Sequence, residues 1–153
     1  MHRHMLKSKI HRATVTACDP DYVGSVTIDA ELMRQADLLP NEQVHLWDIE
    51  NGARLVTYAI EGPPGSGQVQ VNGAAARLVN PGDKVIVVSY GSYGEQDLDA
   101  YSPIVVHVAD NNRVVGVDSN PEVLLAGFGD RWFDEVPGSL GAGGESLSAG
   151  SLQ

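Results

Sequence analysis

The chain has 153 residues, 42% of them apolar and 20% charged, which suits one globular domain and leaves too little for two ordinary ones. Twenty acidic residues against ten Lys plus Arg give a net charge of −10, which argues against a nucleic-acid module with its basic stripe. No apolar run is long enough to span a bilayer, and the basic stretch 1–12 is not followed by the apolar core of a secretory signal. A single cysteine, Cys18, allows no intrachain disulfide and points to a reducing cytoplasm. The charge is uneven: residues 1–94 carry eight basic and ten acidic groups, residues 95–153 two and ten. A nearly neutral body with a basic edge at Arg3, Lys7, Lys9 and Arg12 leaves room for a local cationic site.

In chain order, the first strand signal covers residues 10–18, rich in Val, Thr and Ile. Asp19-Pro20-Asp21 is turn chemistry, and residues 25–28 read as the next strand. Asp29 is placed to cap a helix over 30–38, with Leu32, Met33 and Ala36 on one face and Pro40 as its stop. Strands over 43–49 and 54–60 flank Asn51-Gly52, a hairpin signal because both residues tolerate φ > 0. Residues 62–67 are Gly/Pro-rich but lack the Lys-Ser/Thr ending of a phosphate loop, so they read as a turn. A strand over 68–71 leads to Asn72, which can cap a second short helix over 73–79, closed by Pro81-Gly82. Strands over 84–90, 104–109 and 113–117 complete the set. Many short strands and little helix imply a mainly β fold, a small barrel whose closure removes vulnerable edges. Residues 118–137 form a C-terminal extension with an apolar stretch, 123–128, able to dock. In 138–153, nine of sixteen residues are Gly or Ser, the composition of a flexible, disordered tail.

Four stretches could carry chemistry. Gly24-Ser25 precedes a strand and reads most simply as a turn. Its other reading is a self-cleaving bond: a strained glycine carbonyl beside a serine hydroxyl can undergo an N→O acyl shift. Elimination and hydrolysis then leave a pyruvoyl group, an electron sink. Lys7, Lys9 and His11 alternate, so a strand would point them to one face; that face is either a solvated edge or a dock for an anion. In Arg54-Leu55-Val56-Thr57-Tyr58, Arg54 and Tyr58 share a face but lie ~13 Å apart, and Thr57 points the other way. A site using both Thr57 and Tyr58 needs a bulge or two subunits. A tyrosine titrating near pH 10 stays protonated at neutral pH and could deliver a proton, a role open to Tyr58. Asn72-Gly73-Ala74-Ala75 reads either as a cap and helix start or as a set of free N–H groups open to a carboxylate. His2, His4 and His11 lack a second ligand cluster, so no metal is expected.

Met5 to Thr16 with Lys9 and His11, Tyr22-Val23-Gly24-Ser25, Asn51-Gly52-Ala53-Arg54 with Thr57-Tyr58, Gly65-Ser66-Gly67 and Asn72 to Ala76 together resemble the pyruvoyl-dependent aspartate 1-decarboxylases, in order across residues 1–117. The resemblance implies a double-psi β-barrel over 1–117, cut into 1–24 and 25–153, and a homotetramer with sites between subunits. It also implies decarboxylation of L-aspartate to β-alanine for pantothenate synthesis, with a pyruvoyl group made from Ser25 and neither metal nor pyridoxal phosphate. By position, Gly24-Ser25 matches the cleaved bond, Tyr58 the proton donor, and Thr57 a processing and substrate-contact position. Lys9 and Arg54 match the cations that face substrate carboxylates, Gly73, Ala74 and Ala75 match backbone contacts, and His11, Tyr22 and Asn72 match pocket-lining positions. A pyruvoyl decarboxylase for another amino acid and a non-enzymatic anion-binding barrel are the alternatives to be separated from this reading.

Overall fold

A computed structural model describes residues 1–122; the expectations for 123–137 and for the Gly/Ser-rich tail lie outside the described residues. The chain runs β1 (His2–Thr14), β2 (Ala17–Asp19), β3 (Ser25–Asp29), α1 (Ala30–Gln35), β4 (Gln43–Asp48), β5 (Arg54–Gly62), β6 (Val69–Asn72), a 3-10 turn (Gly73–Arg77), β7 (Lys84–Gly94), a second 3-10 turn (Glu95–Ala100), β8 (Ile104–Val108) and β9 (Val114–Asp118). Residues Met1–Ser119 make one compact unit. The strands form a mixed sheet ordered β2-β6-β3-β5-β4-β7-β1-β8-β9.

That order hides a closure. β1 and β2 are successive parts of one chain path yet lie far apart in the sheet. Between them Val15 N donates to Asp83 O (2.9 Å) and Thr16 N to Val69 O (2.8 Å). The same short stretch therefore ties the approach to β7 to the start of β6, and the sheet curls into a small, mainly β barrel. Inside lie Ile10, Val26, Ile28, Val44, Leu46, Ala59, Val69, Val71, Val85, Val87 and Val106, all buried. Their β-branched shapes suit a pleated, tightly packed wall. Because side chains alternate along a strand, the intervening residues face outward, among them Ser25, Tyr58, Asn72 and Lys9.

Asp29 caps α1 as expected, accepting from Glu31 N at 2.8 Å, and its carboxylate also accepts from Gly65 N (2.9 Å) and Gly67 N (2.8 Å). One side chain thus starts the helix and pins the 62–67 turn. The hairpin at Asn51-Gly52 forms, pairing Trp47 with Arg54, but only Gly52 takes a positive φ, of 74°. Asn51 serves differently, its Oδ1 accepting from Ala53 N at 2.8 Å.

Four local expectations change. β1 begins at His2, well before residue 10, because β7 extends to Gly94 and pairs with it throughout. The α-helix stops at Gln35 where the sequence pattern suggests 38, and residues 73–77 are a single 3-10 turn. Lys7 does not share a face with Lys9: the β1–β7 register shifts between Leu6 and Ser8. The bulge turns Lys7 toward Glu42 Oε1 and Asp37 O, both at 2.5 Å.

Candidate active site

The site grows from the junction of three strands. Ser25 opens β3 and pairs with Asn72, the last residue of β6. On the other side, Val26 pairs with Ala59 of β5. Ser25 and Tyr58 each precede one of these partners, so they are cross-strand neighbours about 4.8 Å apart in backbone spacing. Tyr58 in turn pairs with Gln43 of β4. Gln43, Tyr58, Ser25 and Asn72 thus form one row across the outer face.

Within that row the serine is held tightly. Ser25 is 1% exposed and Asn72 0%. Asn72 Nδ2 donates to Ser25 Oγ (3.1 Å) and to Thr27 Oγ1 (3.0 Å), and Ser25 Oγ donates to Val23 O at 3.4 Å. The sequence suggests Asn72 as a helix cap. It makes no side-chain cap bond: the oxygen that would accept from the turn's N–H groups accepts from Gln70 instead, while both amide hydrogens go to β3. Its own Oδ1 accepts from Gln70 Nε2 (2.9 Å), whose Oε1 accepts from Gln68 Nε2 (3.2 Å). This ladder of amides fixes the orientation of the group that grips Ser25. Sequence reasoning does not single out Gln70 and Thr27. The alternation Gln68-Val69-Gln70-Val71-Asn72 is the signal that could find them.

The second restraint is backbone. Gly73 has φ +67°, and a Cβ there would stand 2.7 Å from Gly24 Cα and 3.0 Å from Gly24 N. Only glycine tolerates both the left-handed conformation and that approach. The expected backbone freedom at Gly24 is therefore found across the contact: Gly24 is absent from the positive-φ glycines, and Gly73 is among them. The exposed loop Tyr22-Val23-Gly24 is pressed at its last residue against the 73–77 turn, while Tyr22 stands 51% exposed. Ala74 is exposed and Ala75 half-buried against the core. The 3-10 turn spans five residues, too short to supply the aligned dipole of a helix N-terminus; what it supplies is small bulk.

The remaining candidates are elsewhere on the same protomer. Thr57 pairs with Val44 and shares the inward side with Leu55 and Ala59, so it faces away from the Ser25 row. Arg54 lies at the far end of β5, its guanidinium 4.3 Å over the Trp47 ring. Lys9 and His11 are on β1, four strands round the sheet from β3, roughly 19 Å of arc at the usual strand spacing. One protomer thus brings Gly24, Ser25, Tyr58, Asn72, Gly73, Ala74 and Ala75 together, and keeps Lys9, His11, Arg54 and Thr57 apart from them.

Burial shapes the basic group. The Lys9 ammonium is pushed down from the usual lysine value by burial, with the Asp118 carboxylate pulling the other way. His11 is lowered to about 4, by burial first and then by Lys9, His107 and Arg12. At neutral pH its ring is uncharged, so Lys9 is the cation this wall presents. Among the described residues no group of His, Cys, Asp and Glu is arranged to hold a metal, and no helix is long and apolar enough to cross a membrane.

A small mainly β barrel with a buried, amide-held serine beside a glycine–glycine contact and an adjacent tyrosine defines the class. The family model described as aspartate decarboxylase matches residues 1–115, and the chain belongs to that family. Its activity is that of an aspartate 1-decarboxylase, a carboxy-lyase that releases CO2 from aspartate.

Proposed function

We propose that the chain converts L-aspartate to β-alanine after cutting its own Gly24–Ser25 bond, and that the product supplies pantothenate synthesis. The observation that carries this is the grip on Ser25: Asn72 donates to its Oγ while Gly73 backs onto Gly24. The residues present fit a pyruvoyl group at position 25. The Ser25 side chain is buried, its oxygen already has a donor, and no Cβ on residue 73 obstructs the preceding peptide. In the processing step Ser25 Oγ bonds to the Gly24 carbonyl carbon as the peptide C–N bond breaks. Loss of the Ser25 Cα proton then expels Gly24 as a carboxylate. Water replaces nitrogen at residue 25 with oxygen and ammonia leaves.

A pyruvoyl carbonyl supplies an electron sink for the pair left behind when CO2 departs. The chain's own residues supply the rest. Tyr58, in register beside Ser25, is positioned to return a proton to the substrate carbon. Because Oγ would leave with Gly24, the Asn72 amide hydrogen that held it would be freed beside residue 25. Lys9 and Arg54 face the carboxylates, and a cation–carboxylate pair at 4 Å contributes ~4 kcal/mol at an effective dielectric of 20. Charges beyond the ~8 Å screening length contribute little, so the local cations dominate.

Because Lys9 and Arg54 are far from Ser25 within one chain, the complete site lies between subunits of a homotetramer, where a neighbouring copy also supplies Thr57. Two observations support this. The outer face beside Tyr58 exposes Val56 (57%) and Tyr90 (42%), apolar area that a partner would cover. A groove of about 610 Å³ begins at Gln43, the pairing partner of Tyr58, and runs past His45 and Tyr90 to His4. The lone Cys18 suits a cytoplasmic enzyme.

The intact mass of the purified chain tests the reading. Two fragments, 1–24 and 25–153, are expected, the larger carrying a carbonyl where an amino terminus would be. An active but uncut chain would overturn it, and assays on aspartate beside glutamate separate it from a decarboxylase of another amino acid. Tyr58→Phe is expected to cleave normally yet lose on the order of 10²-fold or more in kcat, the usual scale for a missing proton donor; an unchanged kcat removes Tyr58 from that role.

A further inference from the structure

Two polar residues of the barrel wall behind Lys9, His107 and Asp118, have no task in the reaction above. β8 runs parallel to β1, with His11 opposite His107 and Lys9 opposite Val105. On the other side of β8, Val105 is opposite Asp118 of β9. Residues opposite one another in a ladder share a face, so Lys9, His11, His107 and Asp118 occupy one wall. His107 is 0% exposed, and its Nε2 lies 2.9 Å from Asp118 Oδ2. Its ring meets that of His11 edge to face, with centroids 6.1 Å apart.

We propose that His107, held by Asp118, is a positioning residue for Lys9 and His11. The proposal rests on the functional reading in which Lys9 meets a substrate carboxylate. A carboxylate accepting at Nε2 holds a proton on that nitrogen and fixes the ring plane. The Nδ1 atoms of both His107 and His11 are buried with no hydrogen-bond partner, so neither ring is held through that nitrogen. His11 packs against the His107 edge, and Lys9 stands two residues away on the same face, so the ring that Asp118 fixes backs the wall on which both lie. Asp118 has a second effect: its attraction opposes the loss of charge that burial imposes on Lys9. Asp118 lies just beyond residue 115, where the family match ends, so part of this support comes from outside the matched segment.

Steady-state kinetics on L-aspartate with variants of the full chain decides it. His107→Phe keeps the ring volume but loses the bond to Asp118, and Asp118→Asn keeps an acceptor but loses the charge. Each is expected to raise KM about ten-fold, the scale of one charge-assisted hydrogen bond, with kcat changed less than about two-fold, the pattern of lost uniform binding. His107→Gln, whose amide can still donate to Asp118, is expected to restore most of the affinity. All three should cleave fully at Gly24–Ser25, since β8 and β9 lie five and six strands round the sheet from β3. A parental KM in His107→Phe and Asp118→Asn, alongside a raised KM in Lys9→Ala, overturns the positioning role and leaves Lys9 as a substrate contact. A parental KM in Lys9→Ala removes the contact itself and the inference with it. Should His107→Phe fail to fold, Asp118→Asn on the edge strand decides the question alone; kcat, KM and melting temperature worsening together there would mark the cluster as structural only.

Discussion

Ser25→Ala leaves a single uncut chain that releases no CO2 from aspartate. In the proposed processing the hydroxyl attacks Gly24, and its hydrogen-bonding neighbours are an Asn72 amide hydrogen and the Val23 carbonyl. Neither an amide nor a carbonyl can replace a nucleophilic oxygen. The fold should survive, because Asn72 keeps its bond to Thr27 Oγ1 and one lost hydrogen bond costs about 1 kcal/mol. Intact mass and a thermal melt on one sample check both halves. A variant cut normally at residue 24 would assign the nucleophile elsewhere.

Gly73→Ala is expected to slow self-cleavage by at least ~10-fold, equivalent to ~1.4 kcal/mol on the barrier, and to destabilise the fold. Two costs combine. An L-residue at φ +67° loses ~1–2 kcal/mol in the left-handed region. The new Cβ also meets Gly24 Cα at 2.7 Å, and a main-chain atom cannot swing aside as a flexible side chain would. Gly82→Ala separates the two costs. Its φ is +93° with nothing within 4 Å of the added Cβ, so it should lose stability through the backbone alone and cleave at the parental rate. Equal cleavage rates in the Gly73 and Gly82 variants would show that contact with Gly24 plays no part in processing. A melt followed by timed gel samples of newly folded chain reads both quantities.

The strands are legible because their code is local. Alternating β-branched residues, bounded by Asp-Pro, Asn-Gly and Pro-Gly turns, place β3, β4, β5, β7 and β8 within a few residues of their observed limits. The same periodicity puts Thr57 and Tyr58 on opposite faces, as they are. Lys7 shows where local reading ends. Alternation groups it with Lys9, but a bulge against β7 reverses it, and a bulge is a property of two strands. Asn72 shows the same limit for side chains. Alone it has the look of a cap, yet β6 lies beside β3: its amide hydrogens go to two hydroxyls on β3, and the oxygen a cap would use accepts from Gln70.

Residue types at short spacing are enough to establish the mainly β class of fold and a family-like pattern that includes Gly24-Ser25. Which residues meet is another matter, and there the folded barrel is needed. It sets Tyr58 beside Ser25 and Gly73 against Gly24, carries Lys9 and Arg54 away from both, and gathers His107 and Asp118 behind Lys9. Strand pairing joins residues 11 with 107 and 25 with 72. The register between such distant segments is chosen by closing the barrel over its core, which no local window of sequence encodes.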